Sequence, residues 1–141
     1  MPAAGRPMKT QIEFKSRQFQ PYPGESQQIN PGRYGKRLAE FLAAELVKYG
    51  FEVQGIRPED WGWAVDLRND EFPLWVGCGN YEEFADGFLC FIEPSKPIIK
   101  KGLFSKIKTG PIVERLAVAI EKSLRESGMV SDIRWWSEDE K

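Results

Sequence analysis

Alternating apolar and polar side chains predict most of the strands of this chain. Ile12 and Phe14 alternate with Glu13 and Lys15, which indicates a half-buried strand near the N-terminus. Four central strands are predicted at residues 51–56, 63–68, 73–79 and 88–93, and a last strand at 131–136. The four central strands are joined by short connections, so we expect them to form an antiparallel meander.

Two longer segments carry apolar residues at helical spacing. The first follows Asn30, which can cap a helix, and Pro31, which suits the first helical position; it stops at Gly50. The second opens at residues 110–111 and stops at Gly128. Their apolar positions are Tyr34, Leu38, Phe41, Leu42, Leu46 and Tyr49 in the first helix and Val113, Leu116, Ala117, Ile120 and Leu124 in the second.

The predicted order of elements is β-α-β-β-β-β-α-β, which is typical of an α+β fold. Two amphipathic helices need an apolar surface to cover, and the strands offer one. We therefore predict a two-layer sandwich, with a mainly antiparallel sheet of about five to six strands and both helices on one face. We expect residues 1–9 to be a disordered tail, residues 10–136 a single domain and residues 137–141 a frayed end.

Turn positions set the expected register of two hairpins. A two-residue turn at residues 69–70 places Val65 opposite Leu74, and the next connection places Cys78 opposite Cys90. Because side chains alternate along a strand, these registers assign two faces. The core face carries Trp63, Val65, Leu67, Phe72, Leu74, Val76, Cys78, Cys90 and Ile92, and the mixed face carries Ala64, Asp66, Arg68, Glu71, Trp75, Gly77, Gly79, Leu89, Phe91 and Glu93.

Composition suits one soluble globular domain. The 141 residues are 41% hydrophobic and 29% charged, and a chain of this size folds without a metal or a disulfide. The net charge of −1 disfavours nucleic acid as a partner. The sequence has neither an apolar run that could span a membrane nor a signal-peptide pattern, so we expect a cytoplasmic protein.

The absence of histidine excludes several chemistries. Ser-His-Asp and Cys-His catalysis and imidazole metal ligands all need this side chain. Cys78 and Cys90 are expected to be buried thiols, and their predicted opposition leaves open whether they pair. Residues 77–79 precede an acidic turn rather than a helix, which disfavours a phosphate loop. We therefore expect no cofactor and no metal.

The mixed face suggests the first functional hypothesis, a non-enzymatic interaction module. Trp75 and Phe91 are apolar rings among charges, as on protein-binding surfaces. The partner would be an unknown protein or a second copy of the chain. Alternatively, the loop at residues 18–28 folds over this face and covers it. The charged residues of the predicted surface are Asp66, Arg68 and Glu93.

A second hypothesis places a small-molecule binder or a carboxylate-based enzyme between two loops. The acids beside Trp61 resemble paired carboxylates that hold a substrate or transfer a proton. They also suit an ordinary loop in which acids cap turns or face water. The residues of this alternative pocket are Glu59, Asp60, Trp61, Tyr81 and Glu82.

A third hypothesis concerns the connection at residues 94–109, where lysines interleave with apolar residues. Such a basic strip suits a membrane surface, an acidic partner or a phosphate backbone. It also suits a loop whose apolar residues tuck under the sheet edge while the lysines stay solvated. The strip consists of Lys96, Lys100, Lys101, Lys106 and Lys108.

Four segments together carry a family resemblance. They read PEDWGW at residues 58–63, WVGCGNYEE at 75–83, FLCFIEP at 88–94 and RWW at 134–136. Over residues 30–136 the chain resembles a group of small uncharacterised bacterial single-domain proteins. The resemblance implies a bacterial, cytoplasmic, single-domain protein. That group has no assigned activity, so the resemblance implies no catalytic residue.

Overall fold

The computed structural model describes residues 8–81 and 84–137. This part of the chain contains three helices and eight strands. In order they are β1 (Lys9–Ser16), α1 (Glu25–Gln28), α2 (Lys36–Lys48), β2 (Val53–Glu59), β3 (Gly62–Leu67), β4 (Leu74–Asn80), β5 (Gly87–Glu93), β6 (Ile98–Lys101), β7 (Ser105–Lys108), α3 (Gly110–Ser127) and β8 (Val130–Ser137).

Six strands form one antiparallel sheet in the order β2-β3-β4-β5-β1-β8. Strands β2 to β5 form the predicted meander, and β1 lies between β5 and β8. Helices α2 and α3 contact each other and share one hydrophobic cluster with the sheet, so both lie on the same face. The predicted α+β sandwich is therefore confirmed. The connection at residues 94–109 adds an element that was not predicted, the hairpin of β6 and β7.

The two ends of the described part of the chain pair with each other. Lys9 lies opposite Ser137 in the ladder between β1 and β8, and Ser137 is buried. Both residues were expected in tails, but strand pairing places them in the sheet. The rest of the predicted tails, residues 1–7 and 138–141, lies outside the described residues.

The apolar stripes of both helices meet the predicted core face of the sheet. A continuous set of apolar side chains excludes water between the two layers, which is the main force that holds them together. The most deeply buried residues of this core are Ile12, Leu38, Ala39, Leu42, Leu46, Val65, Val76, Cys78, Phe88, Cys90, Leu116, Ile120 and Leu124.

The segment at residues 18–28 packs on the helix side of the sheet. The Phe19 ring is buried, and its centroid lies 5.4 Å from that of Phe41, 5.8 Å from that of Phe88 and 6.4 Å from that of Phe14. The alternative in which this loop covers Trp75 is therefore wrong, because its aromatic anchor belongs to the core between sheet and helices.

One of the two predicted hairpin registers is confirmed and the other is wrong by two residues. Cys78 lies opposite Cys90 as predicted. Val65 lies opposite Val76 rather than Leu74, because the connection spans residues 68–73 and tucks Phe72 into the core. A shift of two residues preserves the alternation of side chains, so the face assignments of the residues within β3 and β4 survive.

Helix α2 starts later than predicted. Asn30 does not cap it; its amide nitrogen donates to the backbone oxygen of Asp60 at 2.9 Å. Gly32 has a φ of 79°, which interrupts the helical path. The helix begins at Lys36. Helix α3 follows its prediction, opening with Gly110 and closing against Gly128 in the left-handed conformation.

Candidate functional site

The face of the six-stranded sheet opposite the helices, here called the reverse face, carries a row of side chains across all six strands. The register aligns Arg57 with Ala64, Ala64 with Gly77, Gly77 with Phe91, Phe91 with Gln11, and Gln11 with Trp136. Within residues 8–81 and 84–137 both long helices lie on the opposite side. The predicted partner residues Asp66, Trp75 and Glu93 form the next row on the same face.

Three rings meet on the reverse face and form what we call the aromatic cluster: Trp61, Trp75 and Phe91. The Trp61 and Trp75 rings stack with centroids 6.0 Å apart and an interplanar angle of 17°. Phe91 lies 4.8 Å from Trp61 and 5.6 Å from Trp75, and meets Trp75 edge to face. Each ring is only partly buried. The three rings are thus packed against one another on the surface of the sheet.

Two glycines of β4 make room for the aromatic cluster. A Cβ on Gly77 would lie 2.3 Å from the Phe91 ring, so this ring rests directly on the strand backbone. A Cβ on Gly79 would lie 2.9 Å from the backbone oxygen of Trp61. The turn between β2 and β3 can therefore fold back over the sheet and deliver the Trp61 ring to its neighbours.

Arg57 links the cluster to the charges around it. Its Nε donates to both carboxylate oxygens of Asp66, at 3.1 and 2.9 Å, and its guanidinium also pairs with Glu59. The guanidinium carbon lies 5.1 Å from the Trp75 centroid, a cation–π distance. Sequence reasoning missed Arg57. Its strand parity, two residues before Glu59, was the signal that places it on this face.

The other predicted surface residues are not equally close to the rings. Glu93 lies directly opposite Trp75. Arg68 lies beyond the end of β3, within 3.6 Å of carboxylate oxygens of Glu52 and Asp70, and contributes to that corner instead.

Trp136 extends the apolar character of this face toward β8. It shares the row of Phe91, with Gln11 between them. Its neighbour Trp135 points to the helix side and donates to the Glu121 carboxylate on α3.

The four described residues of the alternative pocket, Glu59, Asp60, Trp61 and Tyr81, do not converge. The two loops lie at the same end of the sheet, where β3 begins and β4 ends. However, Trp61 turns onto the reverse face, Glu59 pairs with Arg57, and the Asp60 side chain is exposed. Glu82 lies outside the described residues. Tyr81 lines a shallow cleft of about 340 Å³ together with Pro31, Gly32, Tyr34, Asn80, Phe84 and Ala85.

Hydrogen bonds hold the walls of this cleft in place. The Asn80 side chain accepts from the Tyr34 backbone at 2.9 Å and donates to the Gly32 oxygen at 3.0 Å. The Tyr34 hydroxyl donates to the Ala85 oxygen at 3.1 Å. Burial and the nearby Asp86 carboxylate raise the pKa of Tyr34, so this hydroxyl stays protonated at neutral pH.

A buried carboxylate that sequence reasoning missed caps helix α2. Glu25 Oε2 accepts from the backbone nitrogens of Gly35 and Lys36, at 2.8 and 2.9 Å, and from Trp63 Nε1 at 2.9 Å. Its Oε1 accepts from the Tyr22 nitrogen at 2.9 Å. Helix α2 has no acidic residue in its first turn and no cap from its own Gly35. The arrangement is therefore a structural cap supplied from a distant segment.

The two cysteines are buried free thiols on the core face. Burial and then the hydrogen bond with Cys78 raise the pKa of the Cys90 thiol, which keeps it protonated. This environment suits packing rather than nucleophilic chemistry.

The lysines of the basic strip are all exposed, and four of them lie on the hairpin of β6 and β7. Lys96 precedes the hairpin. Among the apolar residues of the hairpin, Ile99 and Ile107 pack against the core, Ile98 is exposed on β6, and Leu103 and Phe104 are exposed at the tip.

Neither a membrane-spanning helix nor a cluster of metal-binding side chains occurs in the described part of the chain. No helix there is both long enough and apolar enough to cross a membrane. In the same residues, no three metal-binding side chains of the His, Cys, Asp or Glu type come together.

Comparisons with known proteins identify no relative. No family model, no curated protein and no solved structure matches the chain significantly. The resemblance to small bacterial proteins therefore stays a prediction, and the roles of residues rest on their geometry alone.

Proposed function

We propose that this protein is a non-enzymatic interaction domain that binds another protein through the aromatic cluster on its reverse face. The observation that carries the proposal is the contact of Trp61, Trp75 and Phe91 on a sheet face that the helices leave uncovered. Tryptophan and arginine dominate the energetics of protein interfaces. Here Arg57 adds its guanidinium to the same group of rings.

The shape and charge of the reverse face favour a protein over a small molecule. Small ligands bind in concave pockets that enclose most of their surface, whereas the three rings are partly exposed on the face of a sheet. The Arg57 and Asp66 charges already satisfy each other. We therefore expect the rings to supply most of the affinity.

The small-molecule alternative has less support. The cleft beside Tyr34 and Tyr81 is shallow, and its described lining contains no carboxylate. The acids proposed for catalysis, Glu59 and Asp60, face an arginine and solvent instead. A bacterial origin and a cytoplasmic location remain predictions from the sequence that accompany the interaction proposal.

Site-specific photocrosslinking in the native host cell tests the proposal. A photoreactive residue at Leu89 samples the reverse face, and one at Val118, which is 53% exposed on α3, serves as the matched control. We expect a discrete crosslinked protein from position 89 only. The product should vanish when Trp75→Ala is added. Light scattering at two concentrations identifies the case in which the partner is a second copy.

Loss of the crosslinked product can be attributed to the Trp75 ring only if the Trp75→Ala variant remains folded. Its ring contacts two other rings, and such pairs contribute about 0.5–1.5 kcal/mol each beyond burial. We expect a moderate loss of stability rather than none, so unfolding should be monitored alongside. Equal crosslinking from positions 89 and 118, or a product indifferent to the Trp75 ring, would overturn the proposal.

A further inference from the structure

The hairpin of β6 and β7 is fixed at its base and free at its tip. Ile99 lies opposite Ile107, and both pack against the hydrophobic core. Thr109 closes the base: its backbone nitrogen donates to the Pro97 oxygen at 2.9 Å, and its hydroxyl donates to the Lys96 oxygen. The hairpin therefore holds a defined position on the body of the protein while its outer end projects from it.

Two large apolar side chains occupy the projecting tip. Leu103 is 91% exposed and Phe104 is 97% exposed, and both lie in the three-residue loop between Lys101 and Ser105. Single exposed apolar residues are common, but two adjacent ones at a projecting tip form a small apolar knob. Folding leaves this apolar surface in water, so an apolar environment would stabilise the tip.

The charges around the tip are of one sign. Between Glu93 and Glu114 the sequence has five lysines and no acidic residue. Lys100 lies directly opposite Lys106, an arrangement of like charges that destabilises a strand pair. None of the ion pairs within the described part of the chain involves these lysines. An anionic surface would relieve this repulsion.

We propose that the hairpin docks on an anionic lipid surface, with Leu103 and Phe104 inserted at the boundary between headgroups and acyl chains. Lys101 and Lys106 each lie two residues behind the tip side chains. At roughly 3.3 Å per residue this places them about 7 Å further out. Interfacial elements insert about 5–10 Å, so these lysines would lie at the level of the headgroup phosphates.

The combination of a convex apolar tip and a basic collar favours lipid over other polyanions. A nucleic-acid backbone offers phosphates but no apolar layer for Leu103. At the interfacial depth proposed here, water and headgroups can satisfy the open backbone groups of the loop. This inference is independent of the aromatic cluster, because the two features share no residue.

Vesicle sedimentation of the full chain tests the proposal. Vesicles of phosphatidylcholine alone are compared with vesicles containing phosphatidylserine, at low and at high salt. We expect binding to the anionic vesicles that weakens as salt rises. Leu103→Ser with Phe104→Ser should weaken binding at least about 50-fold, because two apolar side chains no longer leave water. Lys101→Ser with Lys106→Ser should weaken it roughly 20- to 30-fold.

The controls separate docking from unfolding. The control variant Val47→Ser with Val118→Ser removes two exposed apolar side chains from the helices, where Val47 is 58% exposed and Val118 is 53% exposed. This variant should bind as the parent does. The tip variant should melt as the parent does, since its side chains make little contact in the folded state. Absent or equal binding to both vesicle types, or a tip variant that binds unchanged, contradicts the proposal. So does tighter binding to an oligonucleotide or an acidic protein than to anionic vesicles.

Discussion

The buried carboxylate of Glu25 supports the sharpest stability prediction. The perturbation is Glu25→Gln, which keeps the size of the side chain and removes its charge. In the best orientation the amide oxygen of the glutamine accepts hydrogen bonds from Gly35, Lys36 and Trp63. The amide nitrogen then faces the backbone nitrogen of Tyr22, and no hydrogen bond forms there because both groups are donors.

The magnitude follows from the four hydrogen bonds. A hydrogen bond to a charged group contributes about 1.5–3 kcal/mol and a neutral one about 0.5–1.5 kcal/mol. Relief from burying a charge offsets part of the loss. We expect Glu25→Gln to lower the free energy of unfolding by about 2–3 kcal/mol. Glu25→Ala leaves Gly35 and Trp63 with buried, unsatisfied donors and should lose about 3–5 kcal/mol.

Urea unfolding followed by tryptophan fluorescence measures both variants. At a typical slope for small proteins, the loss from Glu25→Gln lowers the midpoint by about 1–2 M, with the slope unchanged. Glu126→Gln, an exposed carboxylate on α3, should stay within about 0.5 kcal/mol of the parent. A Glu25→Gln variant as stable as this control would refute the argument that the carboxylate holds α2 in place.

Three further predictions concern other parts of the fold. Gly77→Ala should destabilise the protein by about 1–3 kcal/mol and alter the near-ultraviolet circular dichroism, since its Cβ would displace the Phe91 ring; an unchanged spectrum would contradict the close contact. Hydrogen bonds from Arg125 and Trp135 lower the pKa of Glu121, so its stabilisation is present above the ordinary carboxyl pKa and is lost as pH falls through the lowered value. Glu121→Gln should therefore lower the free energy of unfolding by about 0.5–1 kcal/mol at pH 7, a value that is discounted for solvent screening, and should leave it unchanged near pH 2. A loss of stability that persists in acid would count against this pairing. Both cysteines should resist a thiol reagent until the protein unfolds, and rapid labelling of the native state would show that they are accessible.

Much of the framework was accessible from local patterns. Alternation along the central strands assigned the correct residues to the core face even where the register of one hairpin was off by two, because the period of a strand is two. The opposition of Cys78 and Cys90 followed from the length of one connection. The stop of α3 at Gly128 followed from backbone chemistry that only glycine readily adopts.

The parts that local patterns missed depend on contacts between distant segments. Glu25 caps a helix that begins eleven residues later, and nothing near Lys36 signals it. Trp61 was predicted to line a pocket between two loops, whereas the turn folds it onto Trp75. The described residues of the alternative pocket do not lie together for the same reason, because spacing along the chain does not determine where a turn directs its side chains.

The sequence by itself determined the two layers, the identity of the buried face and the lack of histidine chemistry, because periodicity and composition act residue by residue. Only the tertiary structure decided that β1 lies between β5 and β8, that three rings and an arginine meet on the reverse face, and that the basic strip is a hairpin with an apolar tip. These features arise where segments far apart in the chain come into contact. Their free energy depends on distance and orientation in space, which no local pattern encodes.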